Sequence, residues 1–148
     1  AQSTDLKAGQ AVDRTGVMLG MTFPCGKELD ALSQKSKKNY KIKPTMLNGD
    51  CSLSGVENKA RNMIDKGESA QDVAKFVLTY IAETVSSMLG GVVQKYGDLP
   101  VVFSGGVASN SLLRKIINER YNAYFAASEF SLDNAAGTAI YAYLKDNR

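Results

Sequence analysis

Residues suited to bind a phosphate group follow an apolar run in the second half of the chain. The stretch FSGGVASNSLLRK, residues 103–115, comes after LPVV and places Gly105 and Gly106 before a polar helix start. Adjacent glycines permit positive φ and let a backbone approach a ligand closely. Ser109 or Asn110 is suited to cap the following helix, whose unpaired N–H groups favour phosphate. The stretch therefore predicts either a phosphate-binding loop or an ordinary tight turn between a strand and a helix.

One carboxylate near each end of the chain is also placed where it can contact a ligand. Asp13 lies among glycines at positions 9, 16 and 20, a stripe of small residues on one face of a predicted helix. Each helical glycine costs about 1 kcal/mol relative to alanine, so the stripe needs a reason. Close approach of a ribose or base is one reason, and tight packing against another helix is the other. Asp133, in SEFSLDN (residues 128–134), is by its residue type more typical of a helix N-cap than of a ligand.

The sequence contains no histidine, which excludes several kinds of site. A Ser-His-Asp or Cys-His catalytic arrangement and a histidine-ligated zinc site are impossible within these residues. Cys25 and Cys51 do not make a disulfide framework or a metal cluster. Any chemistry in this chain therefore depends on carboxylates, amides, hydroxyls, lysines and backbone groups.

Helices and two short strands are predicted to position these groups. The clearest helix begins after Ser69, with Asp72 completing a variant of the capping box, and ends near Tyr96–Gly97. A first helix is predicted from Thr4 or Asp5 to about Leu19. The other predicted elements are a turn at 22–28, a polar and basic loop at 33–50 with extended pieces at 41–43 and 51–53, helices at 54–66, 110–119 and about 135–144, and strands at 101–103 and 121–126.

The order strand, helix, strand, helix after residue 100 predicts a parallel strand pair with a right-handed crossover. The SGG loop and the SEFSLDN loop then follow the carboxyl ends of neighbouring strands. In open α/β sheets that edge is where ligands bind. We therefore expect the two loops to meet at one nucleotide site.

Composition indicates one α/β domain of ordinary character. The chain has 148 residues, 44% hydrophobic and 22% charged, with a net charge of +3. This mild positive charge is compatible with a nucleic-acid partner without requiring one. No stretch is expected to span a membrane, no secretory signal is present, and a cytoplasmic location is the default expectation. The first residue is alanine, which is expected of a processed chain or of a piece of a longer one.

Four motifs in order resemble the carboxyl-terminal half of the TsaD family, once called glycoproteases or sialoglycoproteases. They are AGQAVDRTGVMLGMTFPCGKELDAL (8–32), DCSLSGVENKA (50–60), VVFSGGVASNSLLR (101–114) and SLDNAAGTAIYA (131–142). The resemblance implies the second lobe of an actin-like ATPase, or ribonuclease H-like, fold with its first strands missing. It also implies transfer of a threonylcarbamoyl group from an adenylate to a tRNA adenosine. ATP or threonylcarbamoyl adenylate and a divalent metal of the iron or magnesium class are the implied cofactors.

The resemblance assigns roles to six residues of this chain. It implies that Asp13 contacts the nucleotide ribose and that Gly26 lies against the adenosine. The glycine loop and its asparagine would hold the adenylate, and one carboxylate would ligate the metal; these are Gly105, Gly106, Asn110 and Asp133.

Departures from the family pattern limit what the chain is expected to do alone. Cys25 stands where a glycine is usual and is expected to crowd the adenosine wall. Residues 135–137 also differ from the family pattern, and this difference is expected to change packing more than chemistry. The family's metal site uses a histidine pair in the amino-terminal half. Asp133 alone supplies too few ligands to hold a metal tightly. We therefore expect this chain to be inactive without an amino-terminal lobe.

The basic segment QKSKKNYKIK (34–43) fits two interpretations. Its lysines and Tyr40 suit tRNA phosphates and a stacked base, while a solvated face is the more usual explanation of such a run. An unpaired sheet edge is expected to recruit the missing lobe, a paralogous TsaB-type subunit or a second copy. A non-catalytic nucleotide-binding or scaffold lobe is the alternative function. A metalloprotease is the weakest of the three functional hypotheses, because the sequence contains no HExxH pattern.

Overall fold

Helices dominate the architecture, with two separate pairs of short strands. The computed structural model describes residues 1–127 and 135–146. The helices in this part are α1 (Ala8–Met18), α2 (Gly26–Ser33), α3 (Ser54–Asp65), α4 (Ala70–Tyr96), α5 (Ser111–Asn118) and α6 (Ala135–Asp146). The strands are β1 (Met46–Leu47), β2 (Asp50–Cys51), β3 (Val101–Phe103) and β4 (Ala123–Phe125).

The long helix α4 is the centre of the core, and the sequence predicted both of its ends. Ser69 caps it by accepting a hydrogen bond from the Asp72 N–H at 3.3 Å, and Gly97 ends it with a φ of 83°. Helices α1, α2, α3 and α5 all pack against it. Val73, Val77 and Ile81 are at most 2% exposed, so the apolar stripe is buried through the first half of the helix.

The length and composition of α4 also meet the requirement for a membrane-spanning helix, although no stretch of the sequence was expected to do so. Half of its most apolar 18-residue window is buried inside the protein. A helix that is covered by four others has its apolar surface satisfied by packing, and α4 is accordingly a core helix.

The predicted parallel strand pair is present. Strand β3 pairs with β4 in the register Val101 with Ala123 and Phe103 with Phe125, and α5 lies in the crossover between them. The rings of Phe103 and Phe125 stack with centroids 4.9 Å apart on the inner face. On the outer face, Val102 and Tyr124 are 73% and 57% exposed. The two strands therefore bury only one side of their sheet.

The segment between residues 22 and 53 differs from its prediction. Residues 22–28 were predicted as a turn, but α2 begins inside this range at Gly26. The extended pieces expected at 41–43 and 51–53 are instead a hairpin of β1 and β2. Asn48 and Gly49, with φ of 52° and 88°, form its two-residue turn, for which the Asn-Gly dipeptide is a strong signal.

The start of α1 was also predicted too early. The helix begins at Ala8, and neither Thr4 nor Asp5 caps it. The Asp5 carboxylate instead accepts hydrogen bonds from the backbone N–H of Leu53 at 2.8 Å and the hydroxyl of Ser52 at 2.7 Å. Asp5 therefore ties the first residues of the chain to the start of α3.

Candidate functional site

A cavity of about 560 Å³ lies between α1, the start of α2, α4 and the loop that follows β3. Four of the residues predicted for ligand binding line it together: Asp13, Gly26, Gly106 and Asn110. Gly105 comes just before Gly106 in the chain and is not one of the residues that line the cavity. Its φ of 97° is a backbone conformation that favours glycine. Asp133 lies outside the described residues. We call this space the main cavity.

The floor of the main cavity is apolar and its rim is polar. Val12, Leu78, Ile81 and Leu113 contribute buried aliphatic side chains. The volume lies within the range of about 300–1,000 Å³ that is usual for small-molecule sites, where apolar walls carry a few polar groups. A flat ring can therefore lie on the floor while polar substituents reach the rim.

Asp13 projects from α1 and one of its oxygens is already partnered. Its Oδ1 accepts a hydrogen bond from the backbone N–H of Cys25 at 2.9 Å, which fixes the turn before α2 against α1. The described residues supply no hydrogen bond to Oδ2. A half-buried carboxylate with one oxygen held and one free is well placed to accept a hydroxyl hydrogen bond.

The glycine stripe of α1 has more than one cause. A Cβ on Gly16 would lie 2.2 Å from the Cβ of Cys25, so packing requires the glycine there. Gly20 has a φ of 86° and follows the helix end. Gly9 lines the main cavity, and a Cβ there would meet only Val107 at 3.8 Å, an ordinary contact. Tight packing is thus the correct explanation at Gly16.

The Cys25 thiol is directed into this packing contact. A Cβ on Gly16 would meet Cys25 Sγ at 2.6 Å, Cys25 is fully buried, and it is not among the residues that line the main cavity. Burial raises the pKa of the thiol, and the charges of Asp13 and Glu28 raise it further. Cys25 was expected to crowd the adenosine wall, but its side chain fills the gap beside α1 and does not line the main cavity.

Asn110 and Asp30 together occupy the start of α5. Asn110 Oδ1 accepts from the Leu113 N–H at 2.9 Å, the cap that the sequence predicted. Asp30 Oδ2 accepts from the Ser111 N–H at 2.9 Å, and its Oδ1 accepts from Ser111 Oγ at 2.8 Å. Two N–H groups of the predicted phosphate site are therefore already bound to side-chain oxygens, one of them a carboxylate.

Sequence reasoning missed Asp30 as a residue of this site. Asp30 follows Gly26 by one helical turn of α2, but the prediction of a turn at residues 22–28 gives this segment no helix face on which the two would lie together. Asp30 lines the main cavity while it bridges α2 to α5. Because Asn110 Oδ1 faces Leu113, the Nδ2 donor of the same amide remains for another partner.

Ser109 supplies an unsatisfied polar atom in the cavity wall. Its Oγ is buried and has no hydrogen-bond partner in the part of the chain that the structure describes. A buried hydroxyl without a partner costs free energy, and such groups are normally paired with protein, water or ligand. The main cavity therefore has a hydrogen-bonding position that the protein itself leaves open.

Arg114 joins the glycine loop to the end of β4. Its Nε donates to Ala108 O in the glycine loop, and its Nη2 donates to Ala126 O just after β4, each at 2.9 Å. The guanidinium also lies 5.1 Å from the ring centroid of Phe125. The glycine loop and the end of β4 are thus held at one edge of the strand pair. The SEFSLDN loop (residues 128–134), which was expected to meet the glycine loop there, lies outside the described residues.

Metal ligation is not provided by the described residues. No group of three acidic, cysteine or histidine side chains within residues 1–127 and 135–146 is arranged to hold an ion. Asp133, the predicted ligand, is outside this part of the chain. The side chains of these described residues therefore do not form a metal site.

Only part of the basic segment at 34–43 is exposed and without contacts to the rest of the described protein. Lys38 forms ion pairs with Glu68 at 3.2 Å and Asp72 at 3.1 Å, and these hydrogen bonds raise its pKa. Tyr40 packs edge-on against Phe76 with ring centroids 5.4 Å apart, and burial raises the pKa of its phenol. Four other lysines of the segment are exposed: Lys35, Lys37, Lys41 and Lys43. The ring of Tyr40 is therefore engaged by the protein.

Comparison with known proteins identifies the family to which the chain belongs. The family model of TsaD, tRNA N6-adenosine threonylcarbamoyltransferase, matches residues 1–140. Curated relatives carry the same name. The protein from Kosmotoga olearia is 31% identical over 99% of this chain, that from Riemerella anatipestifer 29% over 99%, and that from Francisella philomiragia 30% over 94%. The alignments cover 48%, 48% and 46% of these relatives, so the chain spans about half of their length.

Proposed function

Because the chain belongs to the tRNA N6-adenosine threonylcarbamoyltransferase family, we propose that its main cavity binds the adenosine part of threonylcarbamoyl adenylate or ATP. In this proposal the whole protein transfers the threonylcarbamoyl group to a tRNA adenosine in the cytoplasm. The chain is the second lobe of an actin-like ATPase fold. The single observation that carries the proposal is that Asp13, Gly26, Gly106 and Asn110 line one cavity, although they are spread over nearly 100 residues.

Three polar side chains of the cavity, those of Asp13, Ser109 and Asn110, have a proposed partner on the ligand. Asp13 Oδ2 accepts a ribose hydroxyl, because its Oδ1 is held by Cys25. Asn110 Nδ2 and the unpartnered Ser109 Oγ contact polar atoms of the adenosine. Gly26 carries no side chain, so the adenosine can lie close to the backbone at the start of α2. The aliphatic floor contacts the face of the purine.

The metal of the proposed reaction needs ligands from elsewhere in the whole protein. Asp133 is the one residue of this chain that we assign to it, together with a histidine pair from an amino-terminal lobe. When bound, such a metal would supply a Lewis acid for the adenylate carbonyl. The residues of this chain bind and orient the adenylate, and the chain alone is proposed to be inactive.

The proposed partners follow from two exposed surfaces. Val102 and Tyr124 expose an apolar sheet face, and α6 exposes Ile140 and Tyr141, which are 59% and 68% accessible. We assign these surfaces to the amino-terminal lobe, with a paralogous TsaB-type subunit or a second copy as the other outcomes. The four exposed lysines of the basic segment are assigned to tRNA phosphates. Changing them together to glutamine should flatten the salt dependence of tRNA binding, whereas Lys38→Gln should act mainly on stability.

Adenosine binding tests the proposed function directly. We expect isothermal titration calorimetry to detect adenosine binding to the purified protein, and Asp13→Asn to weaken it by about tenfold, because a charge-assisted hydrogen bond to the ribose is replaced by a neutral one. Asp65→Asn, an exposed change at the end of α3, is the control and should bind normally.

tRNA modification by the whole protein provides the second test. Asn110→Ala and Asp133→Ala should each abolish or strongly reduce threonylcarbamoylation of tRNA. The assignment fails if both variants modify tRNA at the normal rate. The three relatives described above carry the transferase name, so the alternative of a non-catalytic scaffold is not favoured.

A further inference from the structure

Lys27 is the one cationic side chain among the described residues that line the main cavity. It lies in the first turn of α2, next to Gly26, and its side chain is exposed. The other charged groups of the wall are the carboxylates of Asp13 and Asp30. The resemblance that pointed to this cavity assigned no role to Lys27.

The two carboxylates of the wall are held by neutral donors. Asp13 accepts from the Cys25 N–H, and Asp30 accepts from the N–H and the hydroxyl of Ser111. No ion pair within 4.0 Å joins Lys27 to any carboxylate in the described part of the chain. The ammonium group is therefore free to bind an anion from outside the protein.

The rest of the wall leaves few places for an anion. The start of α5 is closed to it, because Asp30 places a negative charge at the Ser111 N–H. The start of α2 is open, because Cys25 makes no side-chain cap and the first hydrogen bond of that turn runs from the Leu29 N–H to Cys25 O at 2.8 Å. Lys27 belongs to this same first turn of α2 and lines the main cavity.

We propose that Lys27 binds the phosphate of an adenosine nucleotide in the main cavity and so makes the cavity prefer charged adenosine ligands over neutral ones. This inference rests on the proposed function, since it assumes that adenosine occupies the cavity. The long flexible stem of lysine lets its ammonium reach a phosphate whose exact position the rigid wall does not determine. Because Lys27 is exposed, the attraction is screened by salt.

The test compares adenosine with AMP on the purified protein by isothermal titration calorimetry, at low salt and at about 0.3 M salt. We expect AMP to bind about tenfold more tightly than adenosine at low salt, with the difference shrinking as salt is added. Lys27→Gln should remove this preference and leave adenosine affinity unchanged, while Lys27→Arg should keep it. Lys35→Gln, an exposed lysine outside the cavity, is the matched control and should behave as the unchanged protein.

The possible outcomes distinguish a failure of this inference from a failure of the proposed function. If Lys27→Gln retains the preference for AMP, or lowers adenosine affinity as much as AMP affinity, the role of Lys27 is overturned while adenosine binding still supports the proposed function. If neither adenosine nor AMP binds the unchanged protein, the proposed function fails and this inference fails with it. Far-ultraviolet circular dichroism of each variant verifies that the fold is intact.

Discussion

Asp30 on α2 accepts two hydrogen bonds from Ser111 at the start of α5, one from the backbone N–H at 2.9 Å and one from the hydroxyl at 2.8 Å. The two residues are 81 positions apart in the chain, and Asp30 lines the main cavity. This contact joins the segment that carries Gly26 to the loop that carries Asn110. It therefore sets the distance between two walls of the proposed adenosine site.

Removing Asp30 should loosen the cavity. We expect Asp30→Ala to lower the free energy of unfolding by about 1 kcal/mol, because the Ser111 N–H loses its acceptor as in the loss of a helix cap. Ser111→Ala is the matched control, since it keeps the N–H bond and removes only the hydroxyl bond. Urea denaturation measures both, and equal stability of Asp30→Ala and the unchanged protein would contradict the role assigned to this carboxylate.

We expect that lysine cannot replace Arg114 in the contact that it makes at the edge of the strand pair. A single ammonium cannot donate in the planar geometry with which the guanidinium reaches Ala108 O and Ala126 O together. We expect Arg114→Lys to lower the free energy of unfolding by about 1–2 kcal/mol and to increase amide hydrogen exchange in the glycine loop. Lys115→Ala, the exposed neighbour, should do neither. Normal protection of the glycine loop in Arg114→Lys would show that the bridge does not hold it.

Two glycines in helices should respond in opposite directions to alanine. Gly16→Ala places a Cβ 2.2 Å from Cys25 Cβ, so we expect overpacking to cost about 1–3 kcal/mol of stability. Gly91→Ala on α4 meets nothing within 4 Å and should raise stability by up to about 1 kcal/mol.

A second substitution tests the cause of the Gly16 effect. Cys25→Gly removes the opposing side chain and should restore part of the stability that Gly16→Ala loses. Thermal unfolding of the single and double variants measures this coupling. Simple additivity of the two changes would show that the side chains do not meet.

The Asp5 carboxylate should make stability depend on acidic pH. Desolvation acts to raise its pKa, but hydrogen bonds from Leu53, Ser54, Ser52 and Leu6 outweigh this and hold the pKa far below its ordinary value of 3.8. A carboxyl whose pKa is lower in the folded state stabilises the fold above its unfolded pKa. That contribution is lost as the pH falls below about 4 toward the folded value.

Asp5→Asn isolates this contribution. We expect the variant to be less stable at neutral pH and to show a shallower loss of stability between about pH 5 and pH 2 than the unchanged protein. Asp65→Asn, which changes an exposed carboxylate without such partners among the described residues, controls for the general effect of removing a charge. Parallel pH profiles for Asp5→Asn and the unchanged protein would refute the assignment.

Local patterns in the sequence predicted the elements that local physics controls. The span of α4, the cap by Asn110, the parallel pairing of β3 with β4 and the positive φ at Gly105 all follow from periodicity, capping chemistry and glycine conformational freedom. The family resemblance added the residues of the cavity wall. Of these, Asp13, Gly26, Gly106 and Asn110 do line a common space, while their contacts with a ligand stay predictions.

Contacts between distant segments were decided only by the tertiary structure. Asp5 was predicted as a cap and instead binds residues 47 to 49 positions away, and Cys25 faces Gly16 because two backbones approach closely there. Asp30 partners α5 and Lys27 is left free at the cavity mouth for the same reason. A side chain's local propensity states which hydrogen bonds it can make, but which partner it meets depends on the packing of helices that are far apart in the chain.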